Sequence, residues 1–213
     1  MSKPEGITDE EFIYVVVACR ALPAAKGNYL IDDYIENLLL TVVDYMMRTT
    51  AVERAMQHYQ KHRRDSIRTH QHLTQLLAQH PDTKEGNTQI AQYLWGYNLW
   101  TRVELLRRLV AYFDLCGVMS QQDLQTWAAQ TEFKQFEGKV KGAGFAIFKW
   151  LTMRQGVETI KPDIWVHRFL RGAIGRSVND TTAVHVLERA AQEIGLLAYK
   201  LDWAVWEHQR SLP

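Results

Sequence analysis

Apolar residues along the chain recur three and four positions apart, and clear runs of the alternation expected of a half-buried strand are absent. This spacing predicts helices in nearly every segment. The predicted helices cover about residues 9–21, 31–48, 51–62, 66–79, 88–94, 99–115, 121–130, 145–155, 164–174, 181–194 and 198–210. The pattern therefore predicts an all-α fold.

Two of the predicted helices carry strong local signals. Thr8 and Glu11 have the spacing of a capping box, in which each side chain accepts a hydrogen bond from the other residue's backbone amide. The segment 31–48 is strongly apolar, and its wide buried face would consist of Ile35, Leu38, Leu39, Val42, Val43 and Met46. We expect this second helix to lie in a core.

Composition adds limits on the partner. The 213 residues are 46% hydrophobic, which is enough for one compact domain or two small lobes with a real core. The formal net charge is only +1, so the molecule as a whole does not indicate a polyanionic partner. Residues 131–176, however, contain nine Lys and Arg residues against four Asp and Glu residues. A nucleic-acid contact would have to use this local excess of positive charge.

The cysteines and the apolar segments exclude several classes of protein. Cys19 and Cys116 lie far apart and form no C-x-x-C pair, so they cannot build an iron-sulfur cluster or a zinc ribbon. No apolar run approaches the roughly 20 residues that a membrane-spanning helix needs. We expect an intracellular, cytoplasmic protein without a membrane partner.

A glycine-rich turn between two predicted helices is the first candidate for chemistry. In the run Val140-Lys141-Gly142-Ala143-Gly144, the two glycines allow a tight turn and a close approach of another backbone. A helix is predicted to begin at Phe145, and the amides at a helix N-terminus favour a phosphate. The alternative is an ordinary turn between two helices.

A single aspartate follows within the same segment. Asp163 comes after Pro162 and before an apolar-periodic run, which is typical of an N-cap. A carboxylate fixed there could also orient a water and stabilise the positive charge that develops on a sugar as its base departs. Such chemistry requires the nucleotide to leave the base stack. Both interpretations of Asp163 are compatible with the sequence.

Taken together, these residues resemble the helix-hairpin-helix DNA glycosylases (HhH-GPD superfamily) of base excision repair. The match consists of Val140, Gly142 and Gly144 in the hairpin and of Asp163, Val166 and Arg168 in the family's D-x-x-V-x-R pattern. Residues 38–55 are similar, more weakly, to the family's early helix pair.

The resemblance implies one glycosylase unit over residues 1–213, with two helical lobes and a DNA-binding cleft between them. Lobe A, a helical barrel, would span about 31–156 and include the hairpin 138–146. Lobe B would combine about 1–30 with 157–213.

The resemblance also implies roles for individual residues. Asp163 would be the catalytic carboxylate. The expected DNA contacts are Lys141, Gly142, Gly144, Ala146, Lys149 and Arg168, of which Gly142, Gly144 and Ala146 would bind phosphate through their amides. The carbonyls of Gly138, Val140 and Ala143 fall where the family's hairpins hold a monovalent cation, K⁺ or Na⁺, and no other cofactor is implied. Candidates for the base pocket are Tyr45, Met47, Trp150 and Trp165.

The departures from the family narrow the expected reaction. Members that also cut the strand carry a nucleophilic lysine two residues after the second hairpin glycine, where this chain has Ala146. The C-terminal cysteine cluster of the iron-sulfur members is missing, and Lys141 replaces a proline that is common in the hairpin. These differences favour base removal by an activated water without strand cleavage.

The leading hypothesis is therefore a monofunctional DNA glycosylase that acts on double-stranded DNA as a monomer associated with the nucleoid. A second hypothesis is a non-catalytic helix-hairpin-helix protein that only grips the DNA backbone. A third keeps the chemistry but directs it at hypermodified bases of invading phage DNA. The sequence does not separate the third hypothesis from repair.

Overall fold

The computed structural model describes residues 6–45 and 47–212, which form twelve helices and no strand. The predicted all-α fold is confirmed. The helices are α1 (Asp9–Arg20), α2 (Tyr34–Asp44), α3 (Thr49–His62), α4 (His70–Ala78), α5 (Lys84–Trp95), α6 (Trp100–Cys116), α7 (Gln121–Gln130), α8 (Phe133–Phe136), α9 (Phe145–Met153), α10 (Ile164–Ile174), α11 (Asp180–Ile194) and α12 (Ala198–Ser211). No helix in the described part of the chain is long and apolar enough to cross a membrane.

Local hydrogen bonds explain where several helices begin and end. At α1 the capping box is confirmed, because the Thr8 hydroxyl accepts from the Glu11 amide and the Glu11 carboxylate accepts from the Thr8 amide. The prediction of a helix through residue 48 was wrong. Helix α2 ends at Asp44, since Tyr45 adopts extended backbone angles and its carbonyl accepts from the Arg102 guanidinium. Met46 lies outside the described residues.

The chain divides into two compact units. Of the described residues, unit 1 contains 6–30 and 145–212, and unit 2 contains 31–45 and 47–144. The second division falls between residues 144 and 145, twelve positions before the boundary suggested for lobe A. Helix α9 therefore belongs to unit 1, where Phe145 packs against the core and Trp150 contacts Tyr29.

Unit 1 is a group of helices around one apolar core. Helix α1 packs against α10 and α11, and α12 packs against the same two helices. The core includes Val15, Val166, Leu170, Ala183, Val184, Leu187, Leu201 and Val205. Because burying a large aliphatic side chain stabilises a fold by about 1.5–3 kcal/mol, this core holds the start of α10 firmly in unit 1.

Unit 2 is built on the apolar helix α2. The buried face predicted for this helix is confirmed for Ile35, Leu38, Leu39, Val42 and Val43, which are all fully buried. Helix α2 packs against α3 and α6, and α5 packs against the same two helices.

A buried polar link also ties α4 to its neighbours within unit 2. The Tyr34 hydroxyl lies 2.9 Å from His70 Nδ1 and donates to the Val118 carbonyl, while His70 Nε2 contacts the Asp114 carboxylate.

Candidate functional site

Asp163 occupies the N-cap of α10 in unit 1. Its Oδ1 accepts hydrogen bonds from the backbone amides of Trp165 (2.9 Å) and Val166 (3.2 Å). The N-cap interpretation is therefore confirmed. The side chain still has 27% of its surface exposed, so the cap does not remove the carboxylate from solvent.

A tight turn brings Lys161 close to this carboxylate. The Asp163 amide donates to the Lys161 carbonyl across Pro162 at 2.8 Å, which closes a three-residue turn. Lys161 Nζ then lies 3.9 Å from Asp163 Oδ2 and 4.3 Å from the centroid of the Trp150 ring. The ammonium group thus has a carboxylate and an aromatic face as neighbours.

Asp202 is a residue of this site that sequence reasoning missed, and Tyr29 is another. Asp202 lies on α12, and only 5% of its surface is exposed. Its Oδ1 accepts from the Lys161 amide at 2.9 Å, and the Tyr29 hydroxyl donates to the same carboxyl group. Burial, and next to it the negative charge of Asp163, raise the pKa of Asp202 to about 7.

One sequence signal could have revealed Asp202. It stands four residues after Ala198 and next to Leu201, on the apolar face of α12 that is buried in unit 1. A charged residue on such a face is uncommon unless it is paired or hydrogen-bonded. Tyr29 gives no comparable signal, because it lies in a segment without helical periodicity.

Trp150 lies inside this arrangement. Its ring meets Tyr29 edge-on, with centroids 4.9 Å apart and an angle of 82° between the planes. The Arg154 guanidinium carbon lies 4.7 Å from the same ring, and Trp150 is only 8% exposed. The residues Tyr29, Trp150, Lys161, Asp163 and Asp202 are called the Asp163 cluster below. The Trp150 ring is largely enclosed by these neighbours, and its predicted place in a base pocket stays a prediction.

The remaining candidates in unit 1 lie on α9 and α10. Trp165 is partly buried, and Arg168 is exposed with its guanidinium carbon 5.6 Å from the Trp165 ring. Lys149 Nζ lies 3.5 Å from a carboxylate oxygen of Glu188, so its charge is partly balanced within the unit. Ala146 is the second residue of α9 and is partly buried. Their predicted DNA contacts stay predictions.

The glycine hairpin, defined as residues 138–144, belongs to unit 2. The Ala143 amide donates to the Val140 carbonyl at 3.0 Å, and both residues are buried. Gly142 has φ of +95°, a left-handed conformation that side chains disfavour. Lys141, Gly142 and Gly144 are exposed. The hairpin therefore presents its glycines and two lysines, Lys139 and Lys141, to solvent, while Val140 and Ala143 form its buried base.

The short helix α8 before the hairpin was not predicted. Its four residues are too few to show helical periodicity, and its N-terminus depends on a side-chain bond from the Glu132 amide to Gln135. Gly138 follows α8 with φ of +73°.

The predicted cation ligands and two of the predicted pocket residues, Tyr45 and Met47, belong to unit 2. Among the carbonyls assigned to a cation, that of Val140 accepts the Ala143 amide. In the described part of the chain, no group of three or more His, Cys, Asp or Glu side chains is placed to hold a metal. Tyr45 is 39% exposed, its ring lies 5.5 Å from the Arg102 guanidinium carbon, and Met47 is partly buried.

The described residues thus define an all-α protein with a partly exposed aspartate capping a core helix. A family model described as "Domain of unknown function (DUF8548)" matches residues 14–210, and the chain belongs to this family. No curated protein and no solved structure matches the chain.

Proposed function

We propose that this chain is a monofunctional DNA glycosylase, which hydrolyses the N-glycosidic bond of a flipped damaged or modified base and leaves an abasic site. The observation that carries the proposal is the geometry of Asp163. Its carboxylate is fixed by two backbone amides at the start of a core helix, yet more than a quarter of the side chain is exposed. A carboxylate that is both fixed and accessible suits a catalytic role.

The chemistry follows from that placement. As the base departs, positive charge develops on the sugar, and the negative carboxylate of Asp163 stabilises it. The same carboxylate orients a water for attack on the sugar carbon and accepts a proton from it. Fixation at the N-cap supports this role, because the carboxylate then needs little reorganisation during the reaction.

The glycine hairpin supports the DNA-binding half of the proposal. The exposed backbone at Gly142 and Gly144 allows a phosphate to approach closely, and Lys141 adds a positive charge beside it. Arg168, exposed on α10, is a further contact in this proposal. A monovalent cation held by the carbonyls of Gly138, Val140 and Ala143 would rigidify the hairpin.

The side chain at position 146 supports hydrolysis without strand cleavage. Ala146 has no amine that could form a Schiff base with the sugar. The nearby Lys149 faces Glu188 within its own unit, and this ion pair engages its amine. Water is therefore the nucleophile in the proposed reaction.

The test is a panel of duplex oligonucleotides that carry alkylated, deaminated, oxidised or bulky modified bases. After incubation, alkali converts each abasic site into a strand break. We expect one class of base to be released by the native protein and release to be lost in Asp163→Asn, while DNA binding is retained. Asparagine caps a helix as well as aspartate does, so this variant keeps the fold.

A matched control is Asp33→Asn, which makes the same change at the N-cap of α2, where Asp33 accepts from the Glu36 amide. This variant should release base at the native rate. If Asp163→Asn releases the base at the native rate, Asp163 is not the catalytic carboxylate.

The cap itself favours a second candidate, a non-catalytic protein that grips the DNA backbone. The two amide bonds to Asp163 give this residue a structural reason to be an aspartate. This candidate expects salt-sensitive DNA binding without abasic-site formation on any oligonucleotide of the panel.

A further inference from the structure

Asp202 is a buried carboxyl group that the proposed reaction does not yet use. It is joined to the other residues of the Asp163 cluster by two hydrogen bonds, one from the Lys161 amide and one from the Tyr29 hydroxyl. These bonds come from two segments of the chain that are remote in sequence from α12. A buried acid held in this way has a specific local role, because an isolated buried carboxylate is costly.

The bond to the Lys161 amide fixes the backbone that leads to Asp163. Only Pro162 separates the two residues, and the Asp163 amide bonds back to the Lys161 carbonyl. One end of this three-residue turn is therefore held by Asp202, and the other end by the cap of α10.

Three residues from other parts of the chain act electrostatically on Asp202. The negative charge of Asp163 disfavours its ionisation, while the Lys161 ammonium and amide and the Tyr29 hydroxyl favour it. Lys161 also lies beside Asp163, with 3.9 Å between Nζ and Oδ2. When Asp202 is neutral, the ammonium of Lys161 has Asp163 as its anionic neighbour; when Asp202 is ionised, the ammonium acts on the charges of both carboxylates.

We propose that Asp202 is a positioning residue for Asp163: it anchors the turn 161–163 through the Lys161 amide, and its protonation state sets the total charge beside the catalytic carboxylate. The inference rests on the proposed function, because base release is the activity that it modifies. The pair fits a general pattern in which neighbouring acids take different protonation states and different roles.

The direction of the effect follows from the charge of the transition state. Ionised Asp202 adds negative charge near the sugar on which positive charge develops, so base release increases as pH rises through the titration of Asp202. Burial and the charge of Asp163 raise the pKa of Asp202 to about 7, so Asp202 changes its charge near this pH.

The first test needs no substrate. Carboxyl ¹³C NMR of the full chain, labelled at aspartate, follows each aspartate between pH 4 and pH 9. We expect one carboxyl to titrate near pH 7 and to disappear in Asp202→Asn. In Asp163→Asn its midpoint should fall by roughly one pH unit, because the neighbouring negative charge is gone. A control, Glu207→Gln, changes another acid of α12 and should leave the midpoint unmoved.

The second test measures base release against pH. Asparagine at position 202 can still accept from the Lys161 amide but cannot ionise, so Asp202→Asn should stay at the low-pH rate and lose the rise. Asp202→Ala removes the anchor, and its rate should fall roughly 10- to 100-fold at every pH. Partial recovery by asparagine relative to alanine, with circular dichroism showing folded protein, separates positioning from simple stability.

The two tests separate the two proposals. A blank panel with the native protein would remove the proposed function and with it the catalytic part of this inference, although NMR would still report the coupling of the two acids. The inference would be overturned, even if bases are released, if Asp202 titrates in the ordinary aspartate range. It would also be overturned if the titration midpoint of Asp202 is the same in Asp163→Asn as in the native protein. A native pH profile of base release in Asp202→Asn would overturn it as well.

Discussion

The glycine hairpin and the Asp163 cluster are built in different ways. The hairpin, in unit 2, is a stretch of seven consecutive residues in which the glycines and the two lysines are exposed and Val140 and Ala143 are buried. The Asp163 cluster, in unit 1, joins residues from four separate parts of the chain through side chains that are largely buried. The hairpin depends on backbone conformation, whereas the cluster depends on burial and charge.

Because of this difference, we expect the two regions to respond to different changes. A change of pH should act on the cluster, because its carboxyl groups sit close together and one of them is buried. A change in backbone freedom should act on the hairpin, because Gly142 has a conformation that other residues rarely adopt.

The largest expected effect is on the stability of unit 1 as pH changes. The pKa of Asp202 rises from its ordinary 3.8 to about 7 on folding, so between these values the folded protein binds more protons than the unfolded chain. The contribution of Asp202 to the free energy of unfolding therefore falls as pH rises from about 4 to about 7, by as much as about 4 kcal/mol at 1.36 kcal/mol per pKa unit.

Urea denaturation at several pH values between 4 and 8 measures this contribution. Asp202→Asn should show a smaller loss of stability over this range, because asparagine does not ionise, and Glu207→Gln should behave like the native protein. Equal pH dependence in Asp202→Asn and the native protein would mean that Asp202 ionises normally in the folded state.

An intermediate effect is expected from two glycine substitutions in the hairpin. Gly142→Ala forces an alanine to φ of +95° and should cost about 1–2 kcal/mol, although its Cβ would meet Leu105 only at an ordinary 3.6 Å. At Gly144 an added Cβ meets no described atom within 4 Å, and φ is not in the left-handed range. Gly144→Ala should keep or slightly raise the free energy of unfolding.

The same pair of variants tests the role of the hairpin. If a phosphate approaches the backbone there, Gly144→Ala weakens DNA binding although the protein is as stable as before. If Gly144→Ala binds DNA with native affinity, the hairpin is only a turn between helices and not a phosphate-binding site. Chemical denaturation and a binding titration on the same samples give both readings.

The smallest effect is expected from Lys141. Lys141→Ala should lower DNA affinity moderately and reduce the slope of log K against log salt by about one, as for the loss of a single phosphate contact. The exposed Lys84 on α5 supplies a control, and Lys84→Ala should leave the slope unchanged. If both variants behave alike, Lys141 contributes only to overall charge.

Local patterns in the sequence were sufficient for most of the fold. The spacing of apolar residues predicted eleven helices because core-facing positions repeat along each of them. The capping box at Thr8 and the cap at Asp163 were equally accessible, since each depends on residues within one turn. The short α8 and the early end of α2 were not, because four residues show no period and Tyr45 is held by Arg102, a residue of another helix.

In the candidate site, too, local sequence patterns did not reveal contacts between distant segments of the chain. Asp163 could be singled out from its neighbours in the chain. The hydrogen bonds of Asp202 with the Lys161 amide and the Tyr29 hydroxyl, in contrast, depend on how α12 and the segment before α2 pack in unit 1. Trp150 was proposed from its position near the hairpin, and its contacts with Tyr29, Lys161 and Arg154 were not evident from the sequence. Such contacts come from the tertiary fold, and one sequence carries no periodic signal for them.

Base release and DNA affinity measured side by side for Asp163→Asn test the central claim most directly. On the oligonucleotide that the native protein processes best, we expect release to fall by roughly 10²–10⁴-fold, while the dissociation constant for uncleaved DNA stays within about threefold of the native value, a difference under about 1 kcal/mol. Native rates of release by Asp163→Asn would contradict the account and reduce Asp163 to the cap of α10.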